Sequence, residues 1–103
     1  MILTPEQLSL EKAIRERIVE RRAAIARLRL EIHDPKAFDP LRQSDGHLDV
    51  AEQMLSSIAT AVDSEDADRY LSGAQKMLEV ELLNTSQYAE IFERGGAADH
   101  EGI

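Results

Sequence analysis

Residues 15–32, RERIVERRAAIARLRLEI, place six arginines against three glutamates in a 103-residue chain of formal net charge -8. Read linearly, the stretch looks like a phosphate-binding segment; read at helical period, it is a packing seam. Ile18, Ile25 and Ile32 recur every seven residues, with Ile14 and Leu28 at the companion position. That is the a/d pattern of a coiled coil or long-helix bundle. Arg15, Arg22 and Arg29 repeat at the same interval beside the seam. Long basic side chains there lay their apolar stems over the seam and reach acids on a neighbouring helix. Arg17 and Arg27 fall off that row, so the positive charge has no face of its own.

The charge distribution supports the seam. Residues 1–36 hold eight Lys/Arg against six Asp/Glu, and residues 37–103 hold four against fourteen. A mildly basic helix beside an acidic remainder is complementary within one molecule. A nucleic-acid binder concentrates uncompensated positive charge against phosphates. With no aromatic platform, glycine-rich phosphate loop or zinc-finger spacing, no direct nucleic-acid binding is expected.

The helix carrying this seam starts at a capping box: Thr4 as cap, Pro5 where a missing N–H costs nothing, and Gln7 reaching back. Its pattern runs over about 5–33, roughly 43 Å. Pro35 and Pro40 then predict an interruption, with 34–45 as a connection folded over the bundle end. A second helix is expected over 46–62, capped by Ser44 or Asp45, with an apolar stripe of Leu48, Ala51, Leu55, Ile58 and Val62. Asp63 or Ser64 caps a third over 64–94, stopped by Gly95 and Gly96. One unbroken rod through 63–66 is the rival. The expectation is an all-α fold: a small antiparallel bundle of long, coiled-coil-like helices in one domain (1–94), with a flexible tail over 95–103.

Two charged residues interrupt the stripes. Arg21 takes a seam position between Ile14 and Leu28, and Glu81 lies among the apolar residues of the third helix. In an up-down-up bundle the first and third helices run parallel, and both residues lie about sixteen positions past their helix starts. They are candidates for a partly buried pair that specifies register. The alternative is that each snorkels to water; the pair could equally form between subunits.

The second helix is too short to cover two long neighbours. Leu78, Leu82, Tyr88, Ile91 and Phe92 should therefore offer apolar surface to a homo-oligomer, a dimer in the simplest case. The same reading makes Arg15, Ile18, Arg22, Ile25 and Arg29 the packing face of the first helix.

Chemistry is sparse. The chain has no cysteine, which removes disulfides, thiolate metal sites and cysteine nucleophiles. His33, Asp34, His47, Asp49 and Glu52, with Asp45, are the metal-ligand types gathered near the connection. They lack the HExxH or Glu-x-x-His spacing that builds such sites on helices, so no cofactor is expected. DSEDAD at 63–68 lacks the glycine and glutamate spacing of an EF-hand. Glu79 and Glu81, two residues apart, do not share a helix face as an acid/base pair would need. The sequence points away from an enzyme and toward a small acidic interaction module acting through a helical face: a regulator, adaptor, inhibitor or accessory subunit. Its charge would favour a partner protein with a basic surface. A metal-binding or catalytic bundle with its site at a subunit interface is the alternative. The first residues lack the pattern of a signal peptide and no apolar run could span a membrane, so the expected compartment is the cytoplasm.

Overall fold

The computed structural model describes residues 3–32, 36 and 38–101, with 38 and 91–101 through the backbone alone. Three long helices carry the chain: α1 (Pro5–Glu31), α2 (Phe38–Ser57) and α3 (Ser64–Glu101). A 3-10 turn, Ile58–Thr60, follows α2. No strand occurs among the described residues. The protein is an all-α bundle, with α1 and α3 parallel and α2 antiparallel to both.

At the start of α1, the Gln7 backbone N–H donates to Thr4 Oγ1 at 3.1 Å and the Thr4 N–H to Gln7 Oε1 at 3.0 Å. The Gln7 side-chain amide does a second job. Its Nε2 lies 2.9 Å from the Ser64 carbonyl, 3.1 Å from Ser64 Oγ and 2.8 Å from Asp68 Oδ1. Two amide hydrogens shared among three acceptors tie the first turn of α1 to the first turn of α3. This sets the two helices parallel from their beginnings.

Helix α1 ends two residues short of the expected 33: Ile32 is its extended C-cap, and its N–H still reaches the Leu28 carbonyl at 2.8 Å. The expected connection over 34–45 and the helix start at 46 need a larger correction, because α2 begins at Phe38. Pro40 is its third residue. The first four N–H groups of any helix lack intrahelical acceptors, so a proline there removes no bond. Pro40 therefore lies in the opening turn instead of breaking the helix. Leu41 and Ser44, assigned to the connection, are fully packed in the core. Ser44 and Asp45 are interior residues of α2, not its caps.

Gly46 also lies inside α2, with nothing within 4 Å of the space a Cβ would fill. Gly46→Ala should raise stability by about 0.5–1 kcal/mol, since glycine costs about that much in a helix interior. Urea midpoints at unchanged slope would show it. Gly73 differs: its Cβ would lie 2.7 Å from Met54 Sδ, so the same change there requires Met54 to move.

Helix α2 stops at Ser57, not 62. Thr60 Oγ1 donates to the Ser57 carbonyl at 2.7 Å, and the Ala61 N–H closes onto Ile58. Val62, expected on the buried stripe, is 84% exposed; Ala61 is buried in its place. The chain breaks here. The Asp66 N–H donates to Asp63 Oδ1 at 2.8 Å while Asp66 Oδ2 accepts from the Val62 N–H at 3.2 Å, a reciprocal cap that starts α3.

The expected stop at Gly95–Gly96 is corrected as well, since 95–101 are helical. Helix α3 continues to Glu101. A glycine ends a helix by taking a left-handed conformation at its C′ position, and no described glycine has positive φ. Two glycines kept in helical geometry cost about 1 kcal/mol each, and the alanines at 97 and 98 are the best helix formers.

The core is aliphatic. Ile14, Ile18 and Ile25 from α1 meet Leu41, Leu48, Ala51 and Leu55 from α2, and Ala67, Leu71, Ala74 and Leu78 from α3. Leu28 and Ile32 pack against its edge. The seven-residue isoleucine repeat is thus spent within the bundle, with Ile18 and Ile25 buried and Ile32 at the edge.

A buried polar relay and a candidate interaction groove

In this aliphatic core, Arg21 meets Glu81 as a two-pronged pair. Arg21 Nε lies 2.6 Å from Glu81 Oε1 and Nη2 lies 3.0 Å from Oε2. The Glu81 side chain is wholly buried and that of Arg21 is 16% exposed. Parallel α1 and α3 bring the two residues to one level.

The carboxylate has further partners. Thr85 Oγ1 lies 2.7 Å from Glu81 Oε2 and 2.8 Å from Ser44 Oγ, while Asn84 Nδ2 donates to Ser44 Oγ at 2.9 Å. Thr85 has one hydroxyl hydrogen, and an ionised carboxylate only accepts. The hydrogen goes to Glu81, the Ser44 hydroxyl turns toward Thr85, and the Asn84 amide donates to Ser44. The result is a one-way relay, Asn84 to Ser44 to Thr85 to Glu81, closed by Arg21. It links all three helices. No buried side-chain nitrogen or oxygen among the described residues lacks a partner, so the relay is satisfied within the molecule and aims no polar group at a ligand.

The other arginines divide. Arg22 reaches three acids of α2: Asp49 at 2.7 Å, Glu52 at 2.7 Å and Asp45 at 3.7 Å. Hydrogen bonding to Asp49, with Glu52 behind it, raises the Arg22 pKa above its ordinary value against the opposing effect of partial burial. Arg29 pairs with Asp45. Arg15 does not cross to a neighbour: it pairs with Glu11 on its own helix at 2.8 Å, a correction to its expected role. It still borders a shallow depression with Ile18 and Leu55. Arg22→Gln should cost about 1 kcal/mol, less as salt rises, and Arg15→Gln close to nothing. Thermal melts at two ionic strengths would separate them.

The metal-ligand candidates are dispersed or engaged. Asp45, Asp49 and Glu52 hold guanidinium groups, so a cation there would displace one or two arginines. His47 is half-buried on α2; His33 and Asp34 lie outside the described residues. No group of three or more His, Cys, Asp or Glu among the described residues could hold a metal ion.

The interface candidates on α3 also divide. Leu78 is buried, Tyr88 is half-buried, and Ile91 and Phe92 fall where only the backbone is described. Leu82 is 38% exposed. It borders an open groove of about 330 Å³ between α1 and α3, together with Leu10, Ala13, Ile14, Arg17, Gln75, Leu78 and Glu79. The same valley continues past Arg21, Ala24 and Leu28 on α1, opposite Thr85, Ser86 and Ala89 on α3. The second helix covers the other side of the α1–α3 pair, and this side is open. The sequence showed the apolar surplus near Leu82 but not the groove, whose α1 wall consists mostly of alanines and arginines.

No helix among the described residues is long and apolar enough to cross a membrane. No protein-family model matches the sequence, and no curated protein or solved structure is significantly similar to the chain.

Proposed function

We propose that the protein is an acidic helical interaction module that works in the cytoplasm by joining other polypeptides through the α1–α3 groove. The observation that carries this reading is the groove itself. It is floored by Ile14 and Leu78, edged by Leu10 and Leu82, and flanked by charges of both signs. A valley between two parallel helices accepts the apolar ridge of a third or fourth helix, as bundles do internally. The net charge of -8 favours basic surfaces among heterologous partners and repels polyanions. Such a protein acts by occupying or bridging surfaces, as a regulator, inhibitor or accessory subunit does.

A photo-crosslinking residue placed at Gln75, on the groove wall, or at Gln53, exposed on α2, tests the reading in living cells. Adducts are expected from position 75, lost on Leu82→Glu, with few from position 53. Adducts from 53 alone, or none from 75, would count against the groove as the working surface.

A further inference from the structure

We infer that the groove's occupant is a second copy of this chain, related by a two-fold axis running along the bundle, so that α1 of each copy lies beside α3 of the other. The inference rests on the groove being the association surface and adds who fills it and how.

The charge pattern of the walls selects this arrangement. Arg17 stands on the α1 wall and Glu79 on the α3 wall of the same groove segment. Arg17 is half exposed and makes only a short-range pair with Glu20 at 3.2 Å on its own helix. Glu79 is exposed and has no cation within ion-pair distance among the described residues. A two-fold axis along the groove keeps every residue at its own level while exchanging the walls. Arg17 then faces the partner's Glu79, and Glu79 faces the partner's Arg17: two cross-subunit pairs from one self-complementary patch. An axis across the groove instead would set α1 against α1 and α3 against α3, bringing like walls together and leaving both glutamates unmatched.

The apolar fit follows the same levels. Leu82 shares its groove segment with Ala13 and Arg17 of the opposite wall. Across the axis it meets that wall of the partner, where the small side chain of Ala13 leaves room for a leucine. The groove runs from Leu10 to Leu28, about 27 Å of helix. At a width of about 20 Å for two packed helices, each copy contributes on the order of 500 Å². That is below the roughly 800 Å² per partner of a standard stable interface, so a reversible dimer in the micromolar range is expected.

Sedimentation equilibrium on the full chain, with circular dichroism to verify folding, provides the test. Both positions are exposed, so Arg17→Glu and Glu79→Arg should leave the helices intact. The unaltered protein should dimerise at micromolar concentration. Each single variant should dimerise at least about ten-fold more weakly at low salt, since each sets like charges opposite one another twice. An equimolar mixture of the two variants should recover the association, because that heterodimer restores both opposite-sign pairs. Weakening of both single variants followed by that rescue requires the exchange of walls, because like walls facing one another would leave each single variant's association unchanged. A monomer up to about 1 mM overturns the second copy as occupant, while the groove as a surface for other polypeptides still rests on the cross-links from position 75. A dimer indifferent to both charge reversals, or one not rescued by mixing, overturns the two-fold arrangement.

Discussion

Arg21→Met should cost the fold about 3–5 kcal/mol, the largest loss expected from any single change in α1. Methionine fills much the same space but leaves the Glu81 carboxylate wholly buried without its counter-charge, and the penalty for an unpaired buried charge dominates. Thr85 still donates one hydrogen bond to it, which offsets only part of the loss. The reverse deletion should be milder. With Glu81→Leu the stranded group is Arg21, whose side chain is 16% exposed and can swing its head toward water along the open valley. A cost of about 1–2 kcal/mol is expected there. For a domain of this size, 3 kcal/mol lowers the melting temperature by at least about 12 °C. Melts at one fixed protein concentration are the check, because self-association adds to apparent stability.

The second large effect is Ile25→Ala, expected at about 2–5 kcal/mol. Ile25 is 0% exposed at the centre of the α1 seam, and truncation removes buried methyl and methylene groups and leaves a cavity. Val19→Ala, six residues earlier and 69% exposed, should change stability by less than about 0.5 kcal/mol. Denaturant unfolding of the two variants shows which side of the arginine-rich stretch is inside. Similar costs at both positions would mean the seam is misassigned.

What was legible in the sequence follows from how local each signal is. The isoleucine repeat specifies a face, and Thr4–Pro5–Gln7 specifies a start, because both act within one or two turns. Arg21 and Glu81 could be matched from helix starts and a parallel arrangement because helices advance at a fixed rise. The residues that mislead are those whose meaning depends on position. Proline opens a helix in the first turn and breaks it later, so Pro40 read as a stop where α2 was beginning. The Gly95–Gly96 pair would end a helix only by turning left-handed, and the composition alone does not reveal that choice. Ser44 read as a cap because serine is a good one. Its role in the relay depends on Asn84 and Thr85, some forty residues away, and no local pattern announces such a contact. Arg15, Arg22 and Arg29 look equivalent in the heptad, yet only the last two pair with acids of α2, while Arg15 pairs with Glu11 of its own helix.

The arginine-rich helix is a packing element whose register against α3 is set by Arg21 and Glu81. A double-mutant cycle on Arg21→Met and Glu81→Leu, measured by urea unfolding, tests it most directly. If the pair forms as described, the double variant should be more stable than Arg21→Met alone, with a coupling of about 2 kcal/mol or more. Additivity within about 0.5 kcal/mol would mean that the two side chains do not meet, and would contradict the register and the parallel packing built on it.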